Sequence, residues 1–280
     1  SYYLMIRTFF DFNEFRQVAG ELGLEMDLQD LTNLEVLFFE TYKDFLILNV
    51  RDYGENPNNL LILSKDDSLL YSQKQFTSND YKLFKLTMRE PFGEGTVITL
   101  LALREVLNSY AGKFEKLHGE LDEVEKTLDV DKLDEIGKAF RKLQDKLEDF
   151  VDLLIKLRDR KVPQVNTNFI SYDYNVLTGK AQHILDRTKN QLSRIGGLRN
   201  EIEVKETRSL NKRIGYLSEV VKRLTAITII LMIPNIISGY FGMNIPHYFA
   251  TLPNAEVVIV VLTVVLMLVG AAFLKWKDYF

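Results

Sequence analysis

Apolar and polar positions follow three successive patterns along this chain. Over residues 1–95 the apolar residues fall in short β-branched and aromatic runs: Tyr2–Phe10, Leu34–Tyr42, Phe45–Val50, Leu60–Leu63 and Leu69–Tyr71. Turn material separates them, most densely across Asp52-Tyr53-Gly54-Glu55-Asn56-Pro57-Asn58-Asn59. Runs bounded in this way predict strands. The segment after Asp11 reads as a helix that Gly23 could cap.

Pro91, Gly93 and Gly95 punctuate the chain, and its character then changes to helix, with apolar residues at spacings of three and four. Val97–Leu128 and Lys132–Arg160 predict two helices. In the second, Leu133, Ile136, Phe140, Leu143, Leu147, Phe150 and Leu154 line one face. Asp129-Val130-Asp131 turns the chain between them and Pro163 ends the pair, so an antiparallel helical hairpin is expected.

The third pattern is longer. From Val176 to Ile233 there is no proline for 58 residues, enough for roughly 87 Å of helix. Leu192, Ile195, Leu198 and Ile202 begin a stripe that Leu210, Ile214, Leu217, Val221 and Leu224 continue at spacings of four and three, a heptad seam that asks for a partner helix. Gly196-Gly197 is a candidate bending point. The seam then enters a region without charge: no Asp, Glu, Lys or Arg occurs in Leu224–Ala255 or in Val257–Leu274. About 20 helical residues cross a hydrocarbon core of ~30 Å, so two membrane spans are expected.

Their flanks orient them. Lys212, Arg213, Lys222 and Arg223 precede the first span, Lys275 and Lys277 follow the second, and the connecting segment Ile245–Glu256 has no Lys or Arg. Positive residues stay on the cytoplasmic side, which places both termini in the cytoplasm and the short loop outside a plasma (inner) membrane crossed twice. Trp276, Tyr279 and Tyr248 suit the interfacial belt. Ser1–Phe10 has neither a positive n-region nor a cleavage site.

The expected fold is therefore an α+β cytoplasmic domain, a mixed sheet with flanking helices, followed by a very long stalk helix and a two-helix transmembrane hairpin. The expected boundaries are an N-terminal α/β region over 1–95, the helical pair over 96–170 and the stalk over 171–223. The first span covers 224–244, the outer loop 245–256, the second span 257–274 and a basic, aromatic C-terminus 275–280.

Composition sharpens this picture mainly by exclusion. The 280 residues include no cysteine, which removes disulfides, thiolate metal sites and a thiol nucleophile. A net charge of −4 gives no basic excess for nucleic acid. The four charged residues beyond Arg223 (Glu256, Lys275, Lys277 and Asp278) cancel, so that −4 belongs to the part before the spans. No P-loop is present, nor any nucleophile–base spacing that suggests a hydrolase. Asp129-Val130-Asp131 begins like a calcium loop, but Asp134 and Phe140 occupy the positions that need Gly and Glu. The acidic run Glu120, Asp122, Glu123 and Glu125 reads as a solvated helix face, and His118, His183 and His247 form no ligand pair.

Extending the register of Val221 and Leu224 into the first span reaches Thr228, Met232, Asn235 and Gly239. A lipid-facing stripe should be uniformly apolar. This mixture either lines an aqueous lumen or bonds helices together, and spacing alone leaves both open. Pro234 removes one backbone hydrogen bond in the same stretch.

Gly242-Met243-Asn244, preceded by Tyr240-Phe241, closes the first span. A long helix, this tripeptide, a short loop and one last span with a basic end resemble the CorA family of divalent cation channels. The resemblance covers the architecture of the chain and is sharpest over Ser218–Asn244. It implies a funnel-shaped homopentamer in which five first spans line one pore and the second spans face lipid. It implies a filter at Gly242, Met243 and Asn244, with Asn244 holding a hydrated ion at the outer mouth. It also implies a hydrophobic constriction at Leu224 and Met232 and a polar ring at Asn235. Asp186 matches an acidic position of the family's regulatory metal site, whereas His183 stands where a second acid is expected. Phe241 stands where the family often has Tyr. The transported or regulatory ion is expected to be Mg²⁺, with Zn²⁺, Co²⁺ or Ni²⁺ as alternatives, and no enzyme activity or resident cofactor is expected. From another class, the hairpin could anchor a cytoplasmic interaction protein; nothing in an anchor calls for Thr228, Asn235 and Gly239 on one stripe.

Overall fold

A computed structural model describes residues 6–34, 37–54, 58–74, 76–77, 79–160, 162–243 and 254–277. The chain forms two compact units, Ser1–Asn200 and Glu201–Phe280.

In the first unit, strands β1 (Ile6–Phe9), β2 (Phe38–Tyr42), β3 (Phe45–Val50), β4 (Asn59–Leu63) and β5 (Ser68–Tyr71) make one sheet in the order β1-β5-β4-β3-β2. Only the β1–β5 pairing is parallel, so the sheet is mixed as expected. The period of two explains its burial on both faces. Ile47, Ile62 and Leu69 lie in register across β3, β4 and β5, and they pack with Phe9, Phe15, Ala19, Leu24 and Leu28. The last four come from helices α1 (Phe12–Glu21) and α2 (Leu28–Asn33) and the turn between them. Carboxylates start both helices: Asp11 accepts from the Asn13 N–H at 2.9 Å, and Asp27 from that of Gln29 at 3.0 Å. Gly23 follows α1 with φ of 85°, in the left-handed region that glycine adopts freely.

The intervening residues of β3, β4 and β5, among them Leu48, Leu61 and Leu70, form the opposite row and are fully buried. Helix α3 (Gly93–Thr127) packs across β1, β3, β4 and β5. Glycine is needed where α3 begins, because a Cβ at position 93 would stand 1.8 Å from the Thr87 carbonyl oxygen. At Gly95 a Cβ would approach the Gln164 carbonyl oxygen to 2.9 Å.

Helix α4 (Val130–Asp159) returns along α3 after two connecting residues. Tyr110 meets Phe150 and Phe114 meets Phe140 edge to face at centroid distances of 5.7 and 6.0 Å, an antiparallel register. The Asp129 carboxylate caps α4 by accepting from the Lys132 N–H at 3.2 Å, which is the structural use of the calcium-loop-like run. Short 3₁₀ turns at Lys82–Phe84, Thr87–Arg89 and Thr167–Ile170 connect the elements.

Helix α5 (Ser171–Gly242) runs through Gly196-Gly197 without interruption. Within the first unit its early turns bury Tyr174, Leu177, Ala181, Leu185, Thr188, Ile195 and Leu198. The Tyr174 hydroxyl donates to the Leu154 carbonyl at 2.7 Å. The acidic run lies on an exposed helix face, and two of its acids also reach α5. Arg194 of α5 reaches Asp122 at 2.9 Å and also pairs with Glu125, so two of those acids join helices rather than face solvent alone. Arg187–Glu115 at 3.0 Å, Lys189–Glu148 at 2.9 Å and Arg199–Asp134 at 3.4 Å add further interhelical pairs.

The second unit consists of the remainder of α5 and helix α6 (Ala255–Trp276). Between Glu201 and Leu224 nearly every side chain is exposed, including the heptad residues Leu210, Ile214, Leu217, Val221 and Leu224.

Candidate functional site

Two helices are long and apolar enough to cross a membrane, α5 through its C-terminal part and α6. They touch within the second unit: a side chain at Gly270 would meet Ile233 Cδ1 at 3.1 Å, so the missing side chain allows the approach. Ala226 and Leu274 are the buried residues of the pair. On α5, Ile230, Ile233, Pro234, Ile237 and Phe241 are half-buried. On α6 the matching face is Ile259, Thr263, Met267, Gly270, Ala271 and Leu274.

The burial pattern fixes which way the polar stripe points. At 3.6 residues per turn, Ala226, Ile230, Ile233, Ile237 and Phe241 share one face of α5. Val221, Leu224, Thr228, Met232, Asn235 and Gly239 lie on a face about 180° away. All six are exposed in the single chain, Leu224 at 62% and Met232 at 54%. Thr225 and Ser238 flank this stripe, so the Thr, Ser and Asn side chains of the span between Leu224 and Met243 occupy the half turned from α6. Hydrogen bonds that held α5 to α6 would require them on the other half. These Thr, Ser and Asn groups therefore do not bond α5 to α6.

Local chemistry within the stripe follows from the backbone. The Thr228 hydroxyl donates to the Leu224 carbonyl at 2.9 Å, which commits its proton to the helix and leaves its oxygen as an acceptor. Pro234 has no N–H for the Ile230 carbonyl, yet α5 continues past it to Gly242. Gly242 and Met243 are exposed at the end of α5, and Asn244 lies outside the described residues, as does the loop over 245–253.

Asp186 sits on the exposed side of α5 and accepts from Gln182 Nε2 at 3.2 Å. Among the described residues no group of three or more His, Asp or Glu side chains is arranged to hold a metal ion. The α6-facing stripe was not read from the sequence. Its available signals were small residues in the two spans, Ala226 on α5 and Gly270 on α6.

A mixed-sheet domain, a long helix and two C-terminal helices apolar enough to cross a membrane have the build of an integral membrane protein. Residues 14–276 match the CorA-like Mg²⁺ transporter protein family, and the chain belongs to that family. Members of the family are divalent cation transporters, not enzymes.

Solved structures share the fold. The CorA magnesium transporter of Methanocaldococcus jannaschii superposes with a TM-score of 0.62 at 17% identity, covering 98% of this chain and 90% of that one. The full-length CmaX protein gives 0.56 at 13% identity over 94% and 85%. The cytoplasmic domain of ZntB from Vibrio parahaemolyticus gives 0.53 at 9% identity over 70% and 84%. No curated protein sequence matches the chain significantly.

Proposed function

We propose that this protein is a homopentameric channel for Mg²⁺ uptake. Five copies of α5 surround one pore, α6 faces lipid, and both termini are cytoplasmic. The observation that carries this reading is the opposition on α5 between the face packed on α6 and the stripe Leu224, Thr228, Met232, Asn235 and Gly239. A polar stripe turned away from its own hairpin needs water or other copies of itself. A ring of identical α5 helices supplies both, and the exposed heptad seam Leu210–Leu224 would be covered by the same assembly.

The chemistry suits a hydrated ion. Mg²⁺ surrenders its waters reluctantly and prefers octahedral oxygen coordination. Five Asn244 side-chain carbonyls at the outer mouth accept hydrogen bonds from those waters without stripping them. A carboxylate ring would bind the ion more strongly and slow its release. Gly242 lets the backbone turn closely at the filter, and Met243 completes it. Deeper in the pore, Thr228 offers acceptor oxygens and Asn235 a polar ring. Leu224 and Met232 form constrictions that close by dewetting. The inside-negative potential drives entry, at ~2.3 kcal/mol per charge per 100 mV and hence ~4.6 kcal/mol for a divalent ion.

Purified protein in liposomes tests this directly. Asn244→Ala should abolish Mg²⁺ flux while leaving assembly intact, and undiminished flux would remove Asn244 from the filter. Comparison with Zn²⁺, Co²⁺ and Ni²⁺ assigns the ion. A monomer in detergent would defeat the pore.

A further inference from the structure

We propose that the first unit contains a binding site for a small organic cation bearing a primary ammonium group, in the cavity between the sheet end and α3, with Asp52 as its counter-ion. The cavity has a volume of about 320 Å³. It lies where β3 leaves the sheet, β4 enters and β5 leaves, as the pairings Val50–Asn59 and Leu60–Tyr71 require. Asp52 follows β3, Asn59 opens β4, and Ser72 and Lys74 follow β5. From α3, Ala102, Glu105 and Ser109 face the cavity from one side of the helix. The small side chains at 102 and 109 make the room.

The hydrogen-bond inventory leaves one group short. Lys74 is engaged by Glu105. The Ser109 hydroxyl oxygen accepts from the Tyr53 N–H at 2.9 Å, and that of Ser72 from the Lys74 N–H at 3.1 Å. Asp52 is a carboxylate with capacity for about four acceptor contacts, yet its one hydrogen bond is a long contact of 3.5 Å from Asn59 Nδ2. Burial, reinforced by the charge of Glu105, pushes the Asp52 carboxyl above its ordinary value, so its surroundings disfavour the charge. A cation donating hydrogen bonds would reverse that penalty.

The walls narrow the class of ligand. Two carboxylates against one ammonium leave the site with one net negative charge, which excludes an anion. Lys74 stands in the wall, where it opposes a bare divalent ion, and no metal-holding cluster includes these residues. A primary ammonium group, presented at either end of an aliphatic diamine, meets the remaining requirement: a compact positive charge with three directed donors. Its aliphatic part would lie along Ala102 and Phe76. This site is independent of the pore proposed above.

Calorimetric titration of the full chain in detergent, at constant ionic strength, tests it with 1,4-diaminobutane and its uncharged analogue 1,4-butanediol. The diamine should bind saturably at one site per chain, and the diol should not. Asp52→Asn should weaken diamine binding by roughly tenfold or more. Ala102→Leu, which fills the cavity while keeping every charge, should weaken it comparably. Absence of saturable diamine binding, an unchanged affinity in Asp52→Asn, or equal binding of the diol would overturn the proposal. Displacement of the diamine by equimolar Mg²⁺ would overturn the ligand class. The readout does not involve transport, so failure here leaves the channel reading standing, and the reverse also holds.

Discussion

Ile233 and Gly270 touch across the two apolar helices, with Ile233 Cδ1 occupying the space into which a side chain at position 270 would project, at 3.1 Å. This contact sets the rotation of α5 about its own axis. Turning Ile233 toward α6 turns Asn235 and Met232 away from it, because adjacent positions on a helix differ by about 100°. The hairpin contact and the pore stripe are therefore two consequences of one orientation.

Gly270→Val should separate the helices or force them to rotate. Overpacking of a close contact costs about 1–3 kcal/mol. We expect a lower midpoint of thermal unfolding in detergent and reduced flux in liposomes. A variant with unchanged stability would show that the approach at Gly270 has slack.

Asn235→Leu should lower Mg²⁺ flux by about tenfold or more, by replacing a polar ring with an apolar one in the narrow part of the path. Thr228→Val should do less, since the Thr228 proton already serves the Leu224 carbonyl at 2.9 Å. Neither residue is packed within the chain, so unfolding midpoints should stay near wild type. Stopped-flow measurement of Mg²⁺ entry into dye-loaded liposomes orders the two variants, and the reverse order would displace Asn235 from the lumen.

Gly93→Ala should be disruptive. Its Cβ would fall 1.8 Å from the Thr87 carbonyl oxygen, and the backbone at the start of α3 must move. We expect a loss above about 2 kcal/mol. Gly112→Ala, in the middle of the same helix with open space around it, should instead gain about 0.5–1 kcal/mol. Chemical denaturation of the two variants gives shifts of opposite sign if the glycines differ as described.

Asp52→Asn should alter the pH dependence of stability. The folded-state pKa of Asp52 is raised above 3.8, first by burial and then by Glu105. Its favourable contribution is complete below the unfolded value and is lost as pH rises through the folded value. The variant lacks that loss, so it should match wild type at acid pH and exceed it at neutral pH. Unfolding midpoints across pH 3–7 read the difference directly, and parallel curves would show that Asp52 is solvated.

Much of this architecture is written locally. The run Phe45–Val50 is a strand where its apolar run between turn residues predicts one, and Leu133–Leu154 buries its predicted stripe along α4. Where the chain departs from expectation, local pattern was weak. Of the run Leu34–Tyr42, Phe38–Tyr42 forms a strand, and the six residues of α2 depend on the Asp27 cap more than on any apolar period. The acids at Asp122 and Glu125 look like solvent-facing residues because their partner, Arg194, is about seventy positions away on another helix.

The sequence by itself determined the periods of the helices, the two uncharged spans, the heptad seam and the Gly-Met-Asn terminus of the first span, because each is a property of neighbouring residues. Tertiary structure alone decided that β1 joins β5 in parallel at the sheet edge. It also gathered Asp52, Asn59, Lys74 and Glu105 around one cavity and turned the Ile233 face of α5, rather than the Asn235 face, toward α6. Helical period defines faces but not what they meet. That choice is made by packing between distant segments, where one missing side chain at Gly270 admits one face of α5 and sends its polar stripe outward.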